Sequence, residues 1–413
     1  MAHRHSTVKL VFRSLGNRNY LLFFIGQGIS LIGTWFQFTA MSWLIYSLTK
    51  SSFLLGVVSF TGQFPAFLLS PFAGVIADRV SRKNILIITQ ILYMLQALIL
   101  ALLVLNKSIT IWNIILLSLL GGIISGFDMT ARHSFVSDMV ETKEHLGNAI
   151  ALNSSLFNMA RLIGPTVAGL VIGVAGEGLC FLINSISFLS IIIALLAMKI
   201  NRVKKETKKL DFLPGIKDGF SYAFGSVPVK MTLFLTAVIS LTVMPYGVLM
   251  PVFAKEIFHG GPHTLGFLMS ASGLGALTGA LTIASKQTIR GFERIIPAGA
   301  CLSGISLTVL AFSSNFYLSM ALIFLTGYGM ITFFTSSNTL IQTLAEEHMC
   351  GRVMSLYTMS FMGTMPLGSI LAGSIAQKIG VQYTVLTGGL FCLFGAMVFI
   401  KELRRESVNY KKT

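Results

Sequence analysis

The sequence predicts an all-α membrane protein whose twelve transmembrane helices form two pseudo-symmetric six-helix bundles. Of its 413 residues, 54% are hydrophobic and 11% are charged, which is more apolar surface than a soluble domain can bury. Twelve apolar runs are each long enough to cross a bilayer, and the second set of six runs repeats part of the first. The chain therefore needs lipid as its solvent.

A transmembrane helix needs about 20 mainly apolar residues. Six such runs in the first half lie at residues 20–48, 52–77, 84–106, 109–137, 146–175 and 179–199. Six more lie at residues 229–254, 263–285, 295–313, 315–345, 352–377 and 380–400. The stretch between the two sets is rich in Lys and reads as a linker. The predicted domains are an N-terminal bundle (1–200), a cytoplasmic linker (201–228) and a C-terminal bundle (229–413).

The distribution of Lys and Arg predicts the orientation, because cytoplasmic loops retain positive charge during insertion. With both termini cytoplasmic, that side holds about 26 of the 31 basic residues. The opposite side has Lys50, Lys107, Lys255 and Lys378, and Arg161 lies inside a span. We therefore expect an even number of spans in a bacterial cytoplasmic (inner) membrane.

A repeat relates the fifth span to the eleventh. Six positions are identical at a constant offset of 204 residues: Gly147, Leu152, Phe157, Gly164, Ala168 and Gly169 match Gly351, Leu356, Phe361, Gly368, Ala372 and Gly373. An offset equal to six spans is what two duplicated six-helix halves would give.

The net charge of +16 could indicate nucleic-acid binding, but the basic residues stand between apolar runs and form no patch. The four cysteines show no metal-binding or redox spacing. No Ser/His/Asp set and no metal-spaced histidines are present, which argues against an enzyme. We expect no nucleic-acid partner, no cofactor and no metal site.

The loop after the second span reads Gly74-Val-Ile-Ala-Asp78-Arg79-Val-Ser-Arg82-Lys83. It resembles the signature loop of the major facilitator superfamily, with Ser81 where Gly is usual. Gly four residues before Asp allows close approach of another helix, and a helix N-terminus favours the carboxylate. The resemblance implies that this partner is span eleven and that the loop gates the cytoplasmic side. Alternatively, Arg79, Arg82 and Lys83 only enforce topology.

Span five contains Gly164 and Pro165, followed by further glycines. Gly and Pro bring helices together and weaken the local backbone ladder, which suits a helix at a moving interface. The stretch resembles the Gly-Pro motif of the superfamily's antiporters. The alternative is small-residue packing alone.

Asp128 in span four is a carboxylate well inside an apolar run, and Arg161 is a cation so placed. A charge at the bilayer centre costs about 2.5–3.5 kcal/mol on insertion scales, so we expect a pair or a polar cavity. Two interpretations stay open: proton or substrate coupling, or a structural ion pair with Arg82, Arg132 or Arg161.

Several polar and aromatic side chains in the spans could line a cavity at the membrane midplane, and together they suit an amphipathic or uncharged organic substrate. They are Gln27, Trp35, Gln37, Gln63, Asn153, Asn158, Tyr246, Asn338, Gln342 and Tyr357. Each could equally make a hydrogen bond between helices.

Further stretches are similar to the bacterial branch that contains the enterobactin exporter and the macrolide efflux proteins, a transmembrane secretion effector-like family. They include Gly33-Thr-Trp35-Phe-Gln37, Phe127-Asp128-Met-Thr-Ala-Arg132 and Gly351-Arg352-Val-Met-Ser-Leu-Tyr357. One departure is Thr130, where Pro is common. The resemblance covers nearly the whole chain.

The resemblance implies a secondary active exporter of a siderophore-, drug- or lipid-like molecule, working by alternating access and proton antiport. The expected partners are a small-molecule substrate, membrane lipids and protons, and the chain is expected to be a monomer. An importer of the same fold and a non-transporting receptor or scaffold are the alternatives.

Overall fold

The computed structural model describes residues 13–136, 139, 143–199, 212–286, 288 and 291–410. Side chains are described over the same residues except Asp78, 143–146, 212–218, Glu347 and 406–410. In the described part of residues 13–199, a 3₁₀ turn (Arg13–Gly16) is followed by six long helices. They are α1 (Arg18–Thr49), α2 (Ser52–Arg79), α3 (Arg82–Leu105), α4 (Ile111–Phe135), α5 (Lys143–Ala175) and α6 (Glu177–Ala197).

Six further helices follow in the second half, and two of them are irregular. Helix α7 runs from Val227 to Thr242 and continues through a 3₁₀ piece (Met244–Leu249), one turn (Met250–Val252) and a π turn (Phe253–Ile257). The next three are α8 (Pro262–Ala284), α9 (Phe292–Leu310) and α10 (Phe316–Leu344). Helix α11 joins Glu347–Thr358 to Thr364–Ile379 through a π turn (Met359–Gly363), and α12 is Val381–Tyr410.

Among the described residues, twelve helices are long and apolar enough to cross a membrane. This confirms the predicted number of spans. The 3₁₀ piece and the single turn of α7 have a local cause, because Pro245 and Pro251 near their starts lack the N–H that an α-helical ladder needs.

The linker contains a helix that the sequence did not predict, Phe212–Gly225. It packs against the start of α11, where the Glu346 N–H donates to the Tyr222 hydroxyl at 3.2 Å. A helix of 14 residues is too short to cross the bilayer and carries charges, so the search for apolar runs passed over it.

The chain forms two compact units: residues 1–45 with 61–207, and residues 46–60 with 208–413. In the first unit, α3 packs on α4 and α6. Helix α1 meets α6 where the Ser190 hydroxyl donates to the Gly26 carbonyl at 2.8 Å. Helix α4 meets α2 at Gly122, where an added Cβ would lie 2.8 Å from the Gly62 carbonyl oxygen.

The second unit uses the same pairs of helices six positions later. Helix α9 packs on α10 and α12, α7 packs on α12, and α8 packs on α10. A Cβ on Gly275 of α8 would overlap the Phe324 carbonyl of α10, so only glycine permits this approach. The repeat read from the sequence is thus also a repeat of packing.

Tight left-handed turns join several odd-numbered helices to the next even-numbered ones. The positive φ angles are 50° at Lys50, 54° at Lys107, 48° at His259, 77° at Gly176 and 92° at Gly380. A left-handed residue after the last turn is a common way to end a helix, and glycine adopts it at the least cost.

Candidate functional site

Asp128 lies in α4, and the structure surrounds its carboxylate with four donors. Oδ1 accepts from the Thr89 hydroxyl at 2.9 Å and from Gln90 Nε2 at 2.7 Å. Oδ2 accepts from Arg132 Nε at 3.0 Å and Nη2 at 2.6 Å. The Asp128 side chain is only 10% exposed, so these bonds replace the water that burial removes.

The ion pair also reaches a third helix. Arg132 lies one turn after Asp128 on α4, and its Nη1 donates to Gln27 Oε1 on α1. Gln27 is 4% exposed. Of the three partners considered for Asp128, the structure shows Arg132. The resulting cluster of Gln27, Thr89, Gln90, Asp128 and Arg132, which we call the charged cluster, joins α1, α3 and α4.

A second set of contacts is a relay of amides across four helices. Asn184 of α6 donates to Gln37 Oε1 of α1 at 2.8 Å. Gln37 donates in turn to Gln96 Oε1 of α3 at 3.1 Å, and Gln96 donates to the Leu117 carbonyl of α4 at 3.0 Å. Gln37 and Gln96 each accept a hydrogen bond at the side-chain oxygen and donate one from the side-chain nitrogen. The relay therefore sets both the spacing and the rotation of these helices.

Sequence reasoning missed Thr89, Gln90, Gln96 and Asn184. The last three are amides inside apolar runs, which is the signal by which Gln27 and Gln37 were found. A uniform search for Asn and Gln within the spans would have included them. Thr89 gives no such signal, because threonine is common in membrane helices.

Two cations of the predicted gating loop, Arg82 and Lys83, lie in the first turn of α3 and contact the ends of other helices. Arg82 Nη1 donates to the Ser134 carbonyl near the end of α4 at 3.3 Å, and Lys83 Nζ donates to the Met198 carbonyl after α6 at 2.8 Å. Positive charge is favourable at helix C-termini, so both contacts stabilise the first unit. Arg79 is exposed.

The gating role of this loop stays a prediction. The Asp78 side chain lies outside the described residues. A Cβ on Gly74 would have Thr130 Cγ2 at 4.0 Å as its neighbour among described atoms, which is an ordinary contact.

Gly164 in α5 is a point of close contact with α1. A Cβ added there would lie 2.5 Å from Trp35 Cβ. The Trp35 ring meets Phe157 edge-on, with ring centroids 6.0 Å apart. Pro165 follows inside the helix and is buried, and Arg161, one turn earlier, is half-buried. Glycine is therefore required at 164 for α5 to lie this close to Trp35.

Three other candidates of the first unit lie in α2 and α5, namely Gln63, Asn153 and Asn158. Gln63 and Asn153 are half-buried. Asn158 donates to the Ser154 carbonyl of its own helix at 2.9 Å. Their role in lining a cavity stays a prediction.

The candidates of the second unit make hydrogen bonds between its helices or along one helix. Tyr246 shares a hydrogen bond of 2.5 Å with the Ser272 hydroxyl, and Tyr357 donates to the Phe334 carbonyl at 3.0 Å. Gln342 Nε2 donates to Asn338 Oδ1 at 2.7 Å along α10. Over the described residues, no group of three or more His, Cys, Asp or Glu side chains could hold a metal ion.

Proteins of known activity resemble the chain along most of its length. The Staphyloferrin A transporter of Staphylococcus aureus is 26% identical over 91% of this chain and 94% of its own. The Multidrug efflux pump Tap of Mycolicibacterium fortuitum is 25% identical over 94% and 95%. Macrolide efflux protein A of Streptococcus pyogenes is 24% identical over 92% and 95%.

Solved structures show the same fold at lower identity. The crystal structure of a bacterial homologue of the iron transporter ferroportin, in an inward-facing state, matches with a TM-score of 0.73 at 17% identity. It covers 93% of this chain and 98% of its own. A POT family transporter in complex with 5-aminolevulinic acid matches with a TM-score of 0.75 at 12% identity, over 93% and 96%.

The family model described as transmembrane secretion effector matches residues 11–410, which is nearly the entire chain. Its relatives and structural neighbours are transporters, which agrees with the expectation that the chain is not an enzyme. The chain therefore belongs to the transmembrane secretion effector family of the major facilitator superfamily, a family of membrane transporters.

Proposed function

We propose that this transporter exports a small amphipathic organic molecule by proton-coupled antiport. The observation that carries the proposal is the interior of the first unit, where Asp128 and Arg132 neutralise each other and the remaining partners are amides and hydroxyls. Such an interior recognises polar groups without demanding a fixed charge on the substrate. Export as the direction is supported by two relatives whose names specify efflux.

Proton coupling is proposed at Asp128. It is a carboxylate placed well inside a span, where ionisable groups commonly serve ion pathways. Taking up a proton would cost it the bonds from Arg132, since a protonated oxygen no longer pairs with the guanidinium. In this proposal Arg132 releases Asp128 in one state of the cycle, and Gln27 holds Arg132 in the meantime.

Both termini are proposed to be cytoplasmic, because this orientation places most Lys and Arg inside. It can be measured independently of transport. Cysteines at exposed Lys107 and Lys401 are predicted to lie on opposite sides of the membrane. A membrane-impermeant maleimide should label Lys107→Cys in intact cells and Lys401→Cys in inside-out vesicles.

The test of function is accumulation of labelled siderophores, macrolides and dyes in cells lacking their own exporters. We expect lower accumulation of at least one class when the protein is present, and recovery when the proton gradient is collapsed. Higher accumulation would show import. No change for any compound would contradict the proposed substrate class.

Asp128→Asn separates coupling from binding. If Asp128 carries the proton, this variant loses concentrative export yet still exchanges labelled for unlabelled substrate across vesicles. Thr130→Val is the matched control on the same helix, because among the described residues the Thr130 hydroxyl donates to the Gly126 carbonyl, one turn earlier in α4. Retention of gradient-driven export by Asp128→Asn would remove Asp128 from the coupling mechanism.

A further inference from the structure

The helix Phe212–Gly225, which we call the linker helix, lies where two spans of the second unit enter the membrane. One residue, Ser226, separates it from the start of α7. At its side, the Tyr222 hydroxyl accepts from the Glu346 N–H, just before α11 begins. Since α7 and α11 are both spans, the end of the linker helix is held at the depth where a span leaves the hydrocarbon core.

One face of the linker helix is covered by α11. Gly219 and Ala223 are buried, and a Cβ added to Gly219 would lie 3.1 Å from Arg352 Cβ. This close approach fixes the rotation of the linker helix about its own axis. Phe220 and Phe224 each follow one of the two buried residues by one position, so they lie on a face that α11 does not cover.

Phe220 and Phe224 form an exposed aromatic pair on that face. Phe220 is 43% exposed and Phe224 is 56% exposed. The two side chains lie one helical turn apart, and their rings stack with centroids separated by 5.8 Å. Neighbouring apolar side chains that stay exposed indicate a surface for a partner or a membrane.

A cation accompanies the aromatic pair. Lys230, in the first turn of α7, is exposed, and its Nζ lies 5.8 Å from the centroid of the Phe224 ring. The sequence around the linker helix is also basic, because residues 199–230 contain eight Lys or Arg and three Asp or Glu. Aromatic rings beside basic residues at the end of a span are typical of the region of the lipid headgroups.

The charge and the depth together select the partner. A nucleic acid or an acidic protein would satisfy the positive charge, but neither is found by default at the end of a span. Anionic phospholipid offers phosphates to Lys230 and, directly below them, an apolar boundary to the two rings. The linker helix therefore has the features of a helix that lies in the membrane surface.

We propose that the linker helix is an interfacial helix that binds anionic phospholipid. Phe220 and Phe224 insert among the headgroups, and Lys230 contacts their phosphates. The net positive charge of the surrounding sequence attracts the anionic leaflet. Neither the substrate nor the direction of transport enters this inference, so it goes beyond the proposed function and does not depend on it.

The first measurement is the depth of the aromatic pair in a bilayer. A nitroxide is attached to the full chain at Phe220→Cys, Phe224→Cys or Ser221→Cys, with the half-buried Cys301 and Cys350 replaced by serine. The protein is reconstituted in vesicles of phosphatidylcholine and phosphatidylglycerol. Electron paramagnetic resonance then compares collisions of the nitroxide with oxygen, which concentrates in lipid, and with a water-soluble nickel chelate.

Ser221 is the matched control for the aromatic positions. It is exposed and follows Phe220 by about 100° around the helix, farther from the rings than either ring is from the other. We expect collisions with oxygen to predominate at positions 220 and 224, and collisions with nickel to predominate at position 221.

The second measurement tests the class of lipid. Phosphatidylglycerol is titrated into phosphatidylcholine vesicles, and the label at Phe220→Cys gives the lipid fraction at the midpoint of immersion. Lys230→Gln should raise that fraction about fivefold, which is the contribution of one basic residue near an anionic surface. Lys378→Gln removes the same charge from the other end of α11 and should leave the midpoint unchanged.

Several outcomes would overturn the proposal. Predominant nickel collisions at positions 220 and 224 would place the aromatic pair in water. Few collisions with either reagent would show that protein covers this face. Immersion that is equal with and without phosphatidylglycerol would exclude an anionic lipid as the partner. Immersion induced by inorganic phosphate in phosphatidylcholine vesicles would identify a free anion as the ligand instead.

Discussion

Removing both partners of the Asp128–Arg132 pair should destabilise the protein far less than the two single removals added together. Arg132→Met deletes two bonds to Asp128 and the bond to Gln27, and leaves a carboxylate in a site where it was 10% exposed. Breaking a buried pair in this way costs about 3–5 kcal/mol. Asp128→Leu instead leaves the Arg132 guanidinium without its carboxylate partner, and it should cost a similar amount.

The double variant leaves no charge in the cluster. Gln27 and Gln90 then lose their partners, at a cost of about 1–3 kcal/mol for each buried amide left unsatisfied. Thr89 keeps its second contact, to the Leu86 carbonyl at 3.0 Å. We therefore expect the double variant to be several kcal/mol more stable than the sum of the single changes implies.

The measurement is a double-mutant cycle on the free energy of unfolding, with titration from dodecyl maltoside into sodium dodecyl sulfate and tryptophan fluorescence as the signal. Hydrogen bonds in membrane proteins couple by about 0.6 kcal/mol on average and about 1.7 at most, so a larger value marks an ion pair. Thr130→Val serves as the near-neutral control. Additivity within about 0.5 kcal/mol would refute the reasoning.

Three further predictions concern packing, strain and gating. Gly164→Ala should lower both thermal stability and transport, because its Cβ would lie 2.5 Å from Trp35 Cβ, whereas Gly147→Ala in α5 meets nothing within 4 Å and should change neither. Lys107→Gly should raise stability by up to about 1 kcal/mol by relieving a φ of 54°, and Lys107→Ala, measured by the same thermal unfolding, should not. Asp78→Asn should increase labelling of a cysteine probe from the cytoplasmic side without unfolding the protein, and unchanged labelling and transport would contradict the gating role.

Composition and spacing predicted the fold class because a bilayer imposes one strong rule. Every spanning segment must satisfy its own backbone, so about 20 apolar residues imply a helix. The same rule failed to predict the helix Phe212–Gly225, because this helix does not span the membrane. It also could not locate the π turns of α7 and α11, since those depend on packing around particular residues.

The candidate site was predicted less completely. Asp128 was identified from its cost in an apolar run, yet the sequence left Arg82, Arg132 and Arg161 as equal partners. Arg132 pairs with Asp128 because it lies one turn away on the same helix face. In addition, Gln27 of α1 accepts a hydrogen bond from Arg132 Nη1. Contacts between helices distant in the chain are not encoded in local spacing.

The sequence by itself determined the class of the protein, the number of spans, the family and the repeat, because hydropathy, motifs and repeat offsets can be read from the order of residues alone. Only the tertiary structure decided which polar groups of different helices meet: Arg132 with Gln27, Asn184 with Gln37, and Gln37 with Gln96. In lipid, a buried polar group must find a partner, and its identity depends on helix rotation and depth.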